Sequence, residues 1–368
     1  MGSRHSNMVL REGAGGLVKS EKKYGFGIIG CGIVSKFHLE AVLNIENAEL
    51  IAVCDISEEV ARKTAEKYDC INWYTDYKQL LGRDDIDIVT ICTPSGLRRD
   101  IAILAAQMGK HIIVEKPIEI SLEKIDDMLW ECEKNKVFIS SIFNLRYSEH
   151  YRLGKEAISI GRLGKLILGD AYIKWYRSQE YYDSGKWRGT MLLDGGGALM
   201  NQSIHFIDLL QWMMGPVKHV FGEIGTLGHC NIDVEDTAVA TVKYENGAIG
   251  VIEGTTAAYP GIGNRIDIHG ENGAIIIEDN IIKLWEFRNQ HPIDLKVKEL
   301  DSKKQISGVS DSTNIDGSLH QKQIEDILDC ISKGKQSLVN GQEARKSVEI
   351  IQAIYKSAQL NRMIELPM

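Results

Sequence analysis

The sequence predicts an α/β protein: an N-terminal doubly wound parallel sheet, then a C-terminal α+β domain built on a large, mostly antiparallel open sheet. Three observations carry this expectation. From Tyr24 onward, short apolar runs alternate with segments of helical spacing. After about Asn144 the texture changes to Gly-punctuated strand candidates. The length, 368 residues, exceeds what one hydrophobic core usually fills. The expected division is 24–143 and 144–368, with residues 1–23, which contain MGSRHSN and GAGG without sustained periodicity, set aside as tag and mobile leader.

The runs YGFGIIG, ELIAVCD, IDIVTIC, KHIIVEK and VFISSIF are apolar almost throughout, as parallel strands covered on both faces must be. Between them KFHLEAVLNI, EEVARKTAEKY and RRDIAILAAQMG place apolar residues three and four apart, the spacing of amphipathic helices. SLEKIDDMLWECEKN adds a helix opened by Ser121. In the second half KLILGDAYIKWY, TAVATVKYENGAIGVIEGTT, RIDIHGENGAIIIEDN and IIKLWEF read as strands. Asn246-Gly247 and Asn272-Gly273 each predict a tight hairpin turn. GGGALMNQSIHFIDLLQWMMG predicts a helix ending at Gly215-Pro216, and HQKQIEDILDCIS and QEARKSVEIIQAIYKSAQ predict two more. Residues 296–317 are polar and read as a loop.

Composition narrows the function classes. Hydrophobic residues make up 43% and charged residues 26%, enough for a packed core and a charged surface. A net charge of -8 leaves no overall basic face for phosphate backbones, so nucleic acid is not an expected partner. No apolar run approaches the roughly 20 residues that span a bilayer, and no signal-peptide block is present. A cytoplasmic protein without a membrane partner is expected. The seven cysteines are scattered without a C-x-x-C pair and read as reduced, buried apolar residues, and no metal is expected.

The first strand runs into Gly30-x-Gly32-x-x-Ser35, a glycine loop between strand and helix. Gly30 permits the tight turn, Gly32 lets the backbone approach a pyrophosphate, and the helix N-terminus attracts its charge. Asp55 follows Gly32 by 23 residues, at the end of the second strand, where a carboxylate accepts both ribose hydroxyls. This is a Rossmann fingerprint in context. The same carboxylate repels a 2′-phosphate, and Ile56 and Ser57 supply no arginine, so NAD is favoured over NADP, although Arg62 could swing toward a phosphate.

Glu115-Lys116-Pro117 closes the strand KHIIVEK, at the carboxyl edge where open α/β sheets bind ligands. There Lys116 could stabilise alkoxide character at a reacting hydroxyl; on the tripeptide alone it reads as a surface lysine. Asn201 and His205 sit one helical turn apart and are expected on one face. A neutral His205 imidazole could take a hydroxyl proton; on local sequence alone it reads as a core histidine. Trp175, Tyr176, Arg177, Tyr181, Tyr182, Trp187 and Arg188 combine aromatic faces with guanidinium groups. They suit a sugar ring with an anionic group, and equally an edge strand packed on its sheet.

Taken together in chain order, the glycine loop, Asp55, Thr93-Pro94, Glu115-Lys116-Pro117, Asn144-x-Arg146 and Gly195-Gly196-Gly197 leading to His205 resemble the Gfo/Idh/MocA family of sugar and cyclitol dehydrogenases. The resemblance spans essentially residues 24–368. It implies hydride transfer between a secondary hydroxyl and NAD, with Lys116 and His205 catalytic and a Lys116-Pro117 bond that is often cis in relatives. It places Gly30, Gly32, Ile33, Val34, Asp55, Thr93, Pro94, Glu115, Lys116 and Asn144 around the cofactor. Asn201, Arg146, Arg177 and Arg188 fall on the substrate side, the arginines as candidates for an anionic group.

Three residues depart from the family pattern. Asn201 stands where many members have aspartate, Ser203 where many have glycine, and Arg98 where histidine is frequent. Asparagine cannot accept a proton, which leaves acid–base work to His205 and Lys116. The segments 174–189 and 199–205 resemble the branch of UDP-N-acetyl-2-amino-2-deoxyglucuronate 3-dehydrogenases, implying oxidation at C3 of a UDP-sugar acid. A free-sugar or inositol-type dehydrogenase uses the same Lys116 and His205, and an NAD- and sugar-sensing regulator without turnover is the alternative of another class. The family also implies a homodimer or homotetramer.

Overall fold

The computed structural model describes residues 22–307 and 317–368. The expected leader therefore lies outside the described residues, except for Lys22 and Lys23. In chain order the elements are β1 (Tyr24–Ile29), α1 (Ser35–Asn44), β2 (Ala48–Cys54), α2 (Glu58–Lys67), β3 (Asn72–Tyr74), α3 (Tyr77–Leu81), β4 (Ile88–Ile91), α4 (Arg98–Gln107), β5 (His111–Val114), α5 (Leu122–Lys134) and β6 (Ile139–Ser141). They continue with α6 (Glu149–Ser159), β7 (Leu166–Lys174), α7 (Gln179–Asp183), α8 (Ile204–Met214), β8 (Val217–Gly225), β9 (Thr237–Tyr244), β10 (Ile249–Thr255), β11 (Gly263–Gly270), β12 (Gly273–Glu278) and β13 (Ile281–Phe287). The last are α9 (Ile293–Ser307), α10 (Gly317–Lys333), α11 (Gly341–Leu360) and β14 (Ile364–Glu365).

The first sheet is parallel throughout, with strand order β3-β2-β1-β4-β5-β6. That order reverses direction at β1, so the carboxyl ends of β1 and β4 open the crevice that dinucleotides use. All six residues of β1 are buried, as the unbroken apolar run requires. The strand β3 is an edge strand of three half-buried residues, too short to leave a sequence signal.

The second sheet has the order β13-β12-β11-β7-β10-β9-β8-β14 and is antiparallel except where β10 pairs with β7. Its inner face is lined by Val220, Ala238, Ala240, Ile252, Ile266 and Ile268, which share one apolar cluster with Phe206, Leu210, Ile351 and Ile354 of α8 and α11. Among the described residues, no helix is long and apolar enough to cross a membrane.

Three local expectations are corrected. The segment 296–317, read as a loop, is largely helical, since α9 reaches Ser307, and residues 308–316 lie outside the described ones. Ile293 and Val297, four apart, are buried and anchor that helix on an otherwise polar stretch. The second Asn-Gly hairpin turns one residue earlier: Gly270 pairs with Gly273, leaving Glu271 and Asn272 as the turn. The next hairpin turns on Asp279 and Asn280, at φ 46 and 62, the left-handed region that tight hairpins need.

The third correction bears on chemistry. Gly195–Gly197 do not lead into a plain α-helix, because Ala198–Ser203 form a π-turn before α8 begins at Ile204. Wide turns of this kind concentrate at functional sites. The helix α10 packs on α1, with Ile324, Ile327 and Leu328 in one cluster with Tyr24, Phe26 and Val42 of the first sheet's layer.

Candidate active site

The glycine loop forms the dinucleotide side of the site. Gly30 has φ 91, and a Cβ there would sit 2.8 Å from the Cys92 carbonyl carbon, so only glycine fits. A Cβ on Gly32, by contrast, meets no protein atom within 4 Å. Its constraint comes from what approaches the backbone from outside. Asp55 stands directly after β2, with Oδ2 accepting Cys31 N at 2.9 Å and Oδ1 accepting Ser57 N at 2.9 Å. Ile33 is 82% exposed on the loop tip, Val34 precedes α1, and the buried Thr93 hydroxyl, next to Pro94, has no partner among the described residues. A bare backbone, an anchored carboxylate, an unpartnered hydroxyl and the N-terminus of α1 fit an NAD molecule laid along the strand ends.

Lys116 follows β5, and its peptide bond to Pro117 is cis. The turn is clamped from inside by Arg98, 5% exposed, whose guanidinium donates to the carbonyls of Thr93, Glu115 and Pro117. Arg98 is thus a structural staple that holds the lysine's backbone. The sequence marked it only as an odd residue in a histidine position. Glu115, expected beside the cofactor, has its carboxylate 3% exposed and turned inward. Oε1 lies 2.7 Å from His38 Nε2 and 3.7 Å from His320 Nε2, and Oε2 accepts Lys116 N at 3.0 Å. Burial opposes its charge, yet the contacts with His320 and His38 hold its carboxyl well below the usual range. Asn144 is also buried, with Nδ2 3.2 Å from His320 Nδ1.

From the second half of the chain, the glycine triplet brings the π-turn against the lysine. The backbone threads so closely that a Cβ on Gly196 would overlap the Tyr355 hydroxyl and one on Gly197 the Glu235 carbonyl. The Glu235 carboxylate accepts Gly197 N at 2.9 Å and Leu199 N at 2.8 Å, fixing the start of the turn. The outcome is a direct bridge: Lys116 Nζ donates to the Asn201 carbonyl at 2.8 Å. The half-buried His205 follows on α8, with Phe143 edge-on at 5.7 Å between ring centroids. Asn201 lies in the π-turn and His205 in the first turn of α8, so the helix changes its winding between them.

Electrostatics separate the two basic groups. Burial first, and then the nearby Lys116 ammonium, lower His205 to about 3, so its imidazole is neutral at ordinary pH. Its Nδ1 has no hydrogen-bond partner among the described residues. Burial also lowers the Lys116 ammonium, against an upward pull from Glu115 and Asp194. Asp194, absent from the sequence candidates, is 2% exposed and accepts Asn201 Nδ2 at 2.6 Å.

On the open side of Asn201 stands a cationic, aromatic wall. Gln202 Nε2 donates to Tyr181 Oη at 2.9 Å, Arg188 Nη1 donates to the same oxygen at 2.6 Å, and Arg177 Nη2 donates to Gln202 Oε1 at 3.0 Å. Arg177 stacks on Trp175 and Tyr181, and Arg188 on Tyr181 and Trp187. Among the described residues neither guanidinium has a carboxylate within ion-pair distance. Arg146, grouped with them in the sequence, is not part of this wall. It is 0% exposed and bidentate to Asp208 at 2.7 and 2.8 Å, so its charge is already neutralised inside the core.

Comparison with known proteins agrees with this geometry. Residues 24–143 match the family described as an oxidoreductase family with an NAD-binding Rossmann fold, and residues 151–276 match the GFO/IDH/MocA C-terminal domain. The chain belongs to the GFO/IDH/MocA oxidoreductase family. Its Rossmann sheet is an NAD-binding domain. The WlbA dehydrogenase of Bordetella pertussis, solved with NADH and UDP-GlcNAcA, is 32% identical with a TM-score of 0.88, the match covering 95% of this chain and 99% of that one. The corresponding Chromobacterium violaceum enzyme, solved with the same two ligands, is 32% identical with a TM-score of 0.86, over 95% of this chain and 97% of that one. Myo-inositol 2-dehydrogenase of Thermotoga maritima is 29% identical over 262 residues, 69% of this chain and 75% of its own length.

Proposed function

We propose that this family member oxidises the C3 hydroxyl of a UDP-linked sugar acid to a ketone, with NAD as acceptor. The observation that carries the reading is the pair Arg177 and Arg188: two guanidinium groups with no carboxylate within ion-pair distance among the described residues, joined through Gln202 to the residue that Lys116 touches. Desolvated, aromatic-stacked guanidinium groups without carboxylates favour an anionic ligand group. The 32% identity with enzymes solved with UDP-GlcNAcA supports the same choice.

Gly30, Gly32, Ile33, Val34, Asp55, Thr93 and Pro94 would hold the dinucleotide. When bound, NAD supplies the ring that accepts the hydrogen and two electrons leaving the carbinol carbon. Lys116, as the neutral amine that burial favours by lowering its ammonium, takes the hydroxyl proton on Nζ, because His205, lowered to about 3, is a poor destination for it. His205 orients the hydroxyl as a neutral imidazole, and Asn201 positions the neighbouring sugar oxygen. Loss of the proton to Nζ and of hydrogen with its electron pair from carbon leaves a carbonyl.

Stopped-flow reduction of bound NAD with UDP-sugar acids, UDP-sugars, free sugars and cyclitols tests the reading. Reduction is expected with the acids, with a fall in kcat of about 10²–10⁴-fold for Lys116→Ala. Arg177→Ala should raise KM for the acid at least tenfold and leave neutral sugars unaffected. Preference for free inositol, the substrate class named for the Thermotoga relative, would replace the proposal, and absence of reduction with the whole panel would favour a sensor. The same proposal includes a cytoplasmic homodimer or homotetramer that covers the outward sheet face of Phe221, Val239 and Ile249, which are 39%, 47% and 54% exposed.

A further inference from the structure

Position 201 is an asparagine, and its side-chain amide donates to a carboxylate seven residues earlier in the chain. Asp194 lies at the end of the loop before the glycine triplet, 2% exposed. Its Oδ2 accepts Gly189 N at 3.0 Å and its Oδ1 accepts Asn201 Nδ2 at 2.6 Å. The carbonyl of the same Asn201 accepts the Lys116 ammonium at 2.8 Å. One residue thus links the buried carboxylate to the catalytic cation.

We propose that Asp194 is the carboxylate of this reaction centre, a positioning residue that acts through Asn201 to set the place and charge of Lys116. The inference rests on the reading of Lys116 as proton acceptor. The ionisable groups that face Asp194 are Lys116 after β5, Arg98 of α4, Arg188 of its own loop, Tyr181 and Tyr182 of α7, and Tyr355 of α11. Three of these are cations, so Asp194 is a counter-charge in a positive neighbourhood. Burial raises its own carboxyl, opposed by Gly189, Asn201 and Lys116, and in return its charge helps Lys116 keep a proton. The amide at 201 and the carboxylate at 194 are joined across one 2.6 Å hydrogen bond.

A purely structural Asp194, tying Gly189 N in its loop, predicts changed stability and an unchanged lysine. The proposal predicts a changed lysine. In Asp194→Asn, Lys116 loses its proton more readily, so the midpoint of its pH-dependent acetic anhydride labelling, read by mass spectrometry without sugar, falls by about one pH unit. The rising limb of kcat/KM for oxidation moves down by the same amount. In the exchange variant Asp194→Asn/Asn201→Asp the carboxylate returns across the hydrogen bond, and both midpoints recover. Should Asp194→Asn fail to fold, Asp194→Ser removes the same charge and its labelling midpoint falls likewise. An unmoved labelling midpoint in whichever variant folds, or no recovery in the exchange, overturns the inference. The labelling needs no substrate, so failure to oxidise any sugar would remove the proposed function and leave this result standing on its own.

Discussion

Replacing Arg146 by methionine separates the core role that the structure gives this arginine from the substrate role that its sequence suggests. Its guanidinium holds Asp208 with two hydrogen bonds, reaches Glu343 at 3.1 Å and the Leu338 carbonyl at 3.2 Å, and lies over Trp212. Arg146 and Asp208 have side chains 0% and 1% exposed, so no water can replace the lost partner. Breaking a buried pair on one side costs about 3–5 kcal/mol, mostly from the stranded charge. Arg146→Met is therefore expected to lower the urea midpoint by that equivalent, with the deficit shrinking as pH falls, since a protonated Asp208 needs no counter-ion. Arg146→Met/Asp208→Leu removes both charges and should recover most of the loss. The folded fraction should keep its KM for an acidic sugar. A tenfold rise in that KM with an unchanged urea midpoint would place Arg146 in the substrate pocket and refute the argument.

Three further substitutions probe the glycine loop and the glycine triplet. Gly32→Ala adds a methyl group that meets no protein atom, so the melting temperature should hold while NAD binding measured by calorimetry weakens; Gly30→Ala, at φ 91 and against Cys92, should destabilise the fold itself. Glu235 has its carboxyl pushed by burial from 4.5 up to about 7, so the folded chain binds that proton more tightly than the unfolded one. Its contribution is full below about 4.5 and is lost as pH rises through about 7, and Glu235→Gln should flatten denaturation midpoints across that window.

Much of the site was legible because its signals are local. A strand, a glycine loop and a helix follow one another within a dozen residues or so, and Asp55 ends the next strand, so the dinucleotide side is written in consecutive sequence. That Lys116 meets the segment leading to His205 was legible only through the company of motifs around the two, not through their own neighbours. The contacts that Glu115 and Asn144 make left no local signal, because both face His320, which lies 176 residues beyond Asn144. Asp194 left no mark because one aspartate in LLDGGG is indistinguishable from a turn residue until Asn201 and Lys116 are seen to meet it.

The chain order of apolar runs and turn residues was sufficient to set two sheets, the direction of the first, and the strand ends where a cofactor lies, since those depend on backbone preference and periodic burial. Which arginines are free for a ligand was settled only in three dimensions. Arg146 and Arg177 are the same residue type in similar aromatic company, but Asp208, 62 residues away, neutralises the first, and no carboxylate among the described residues reaches the second. Charge compensation depends on distance through space, and linear sequence carries that distance only once the chain has packed.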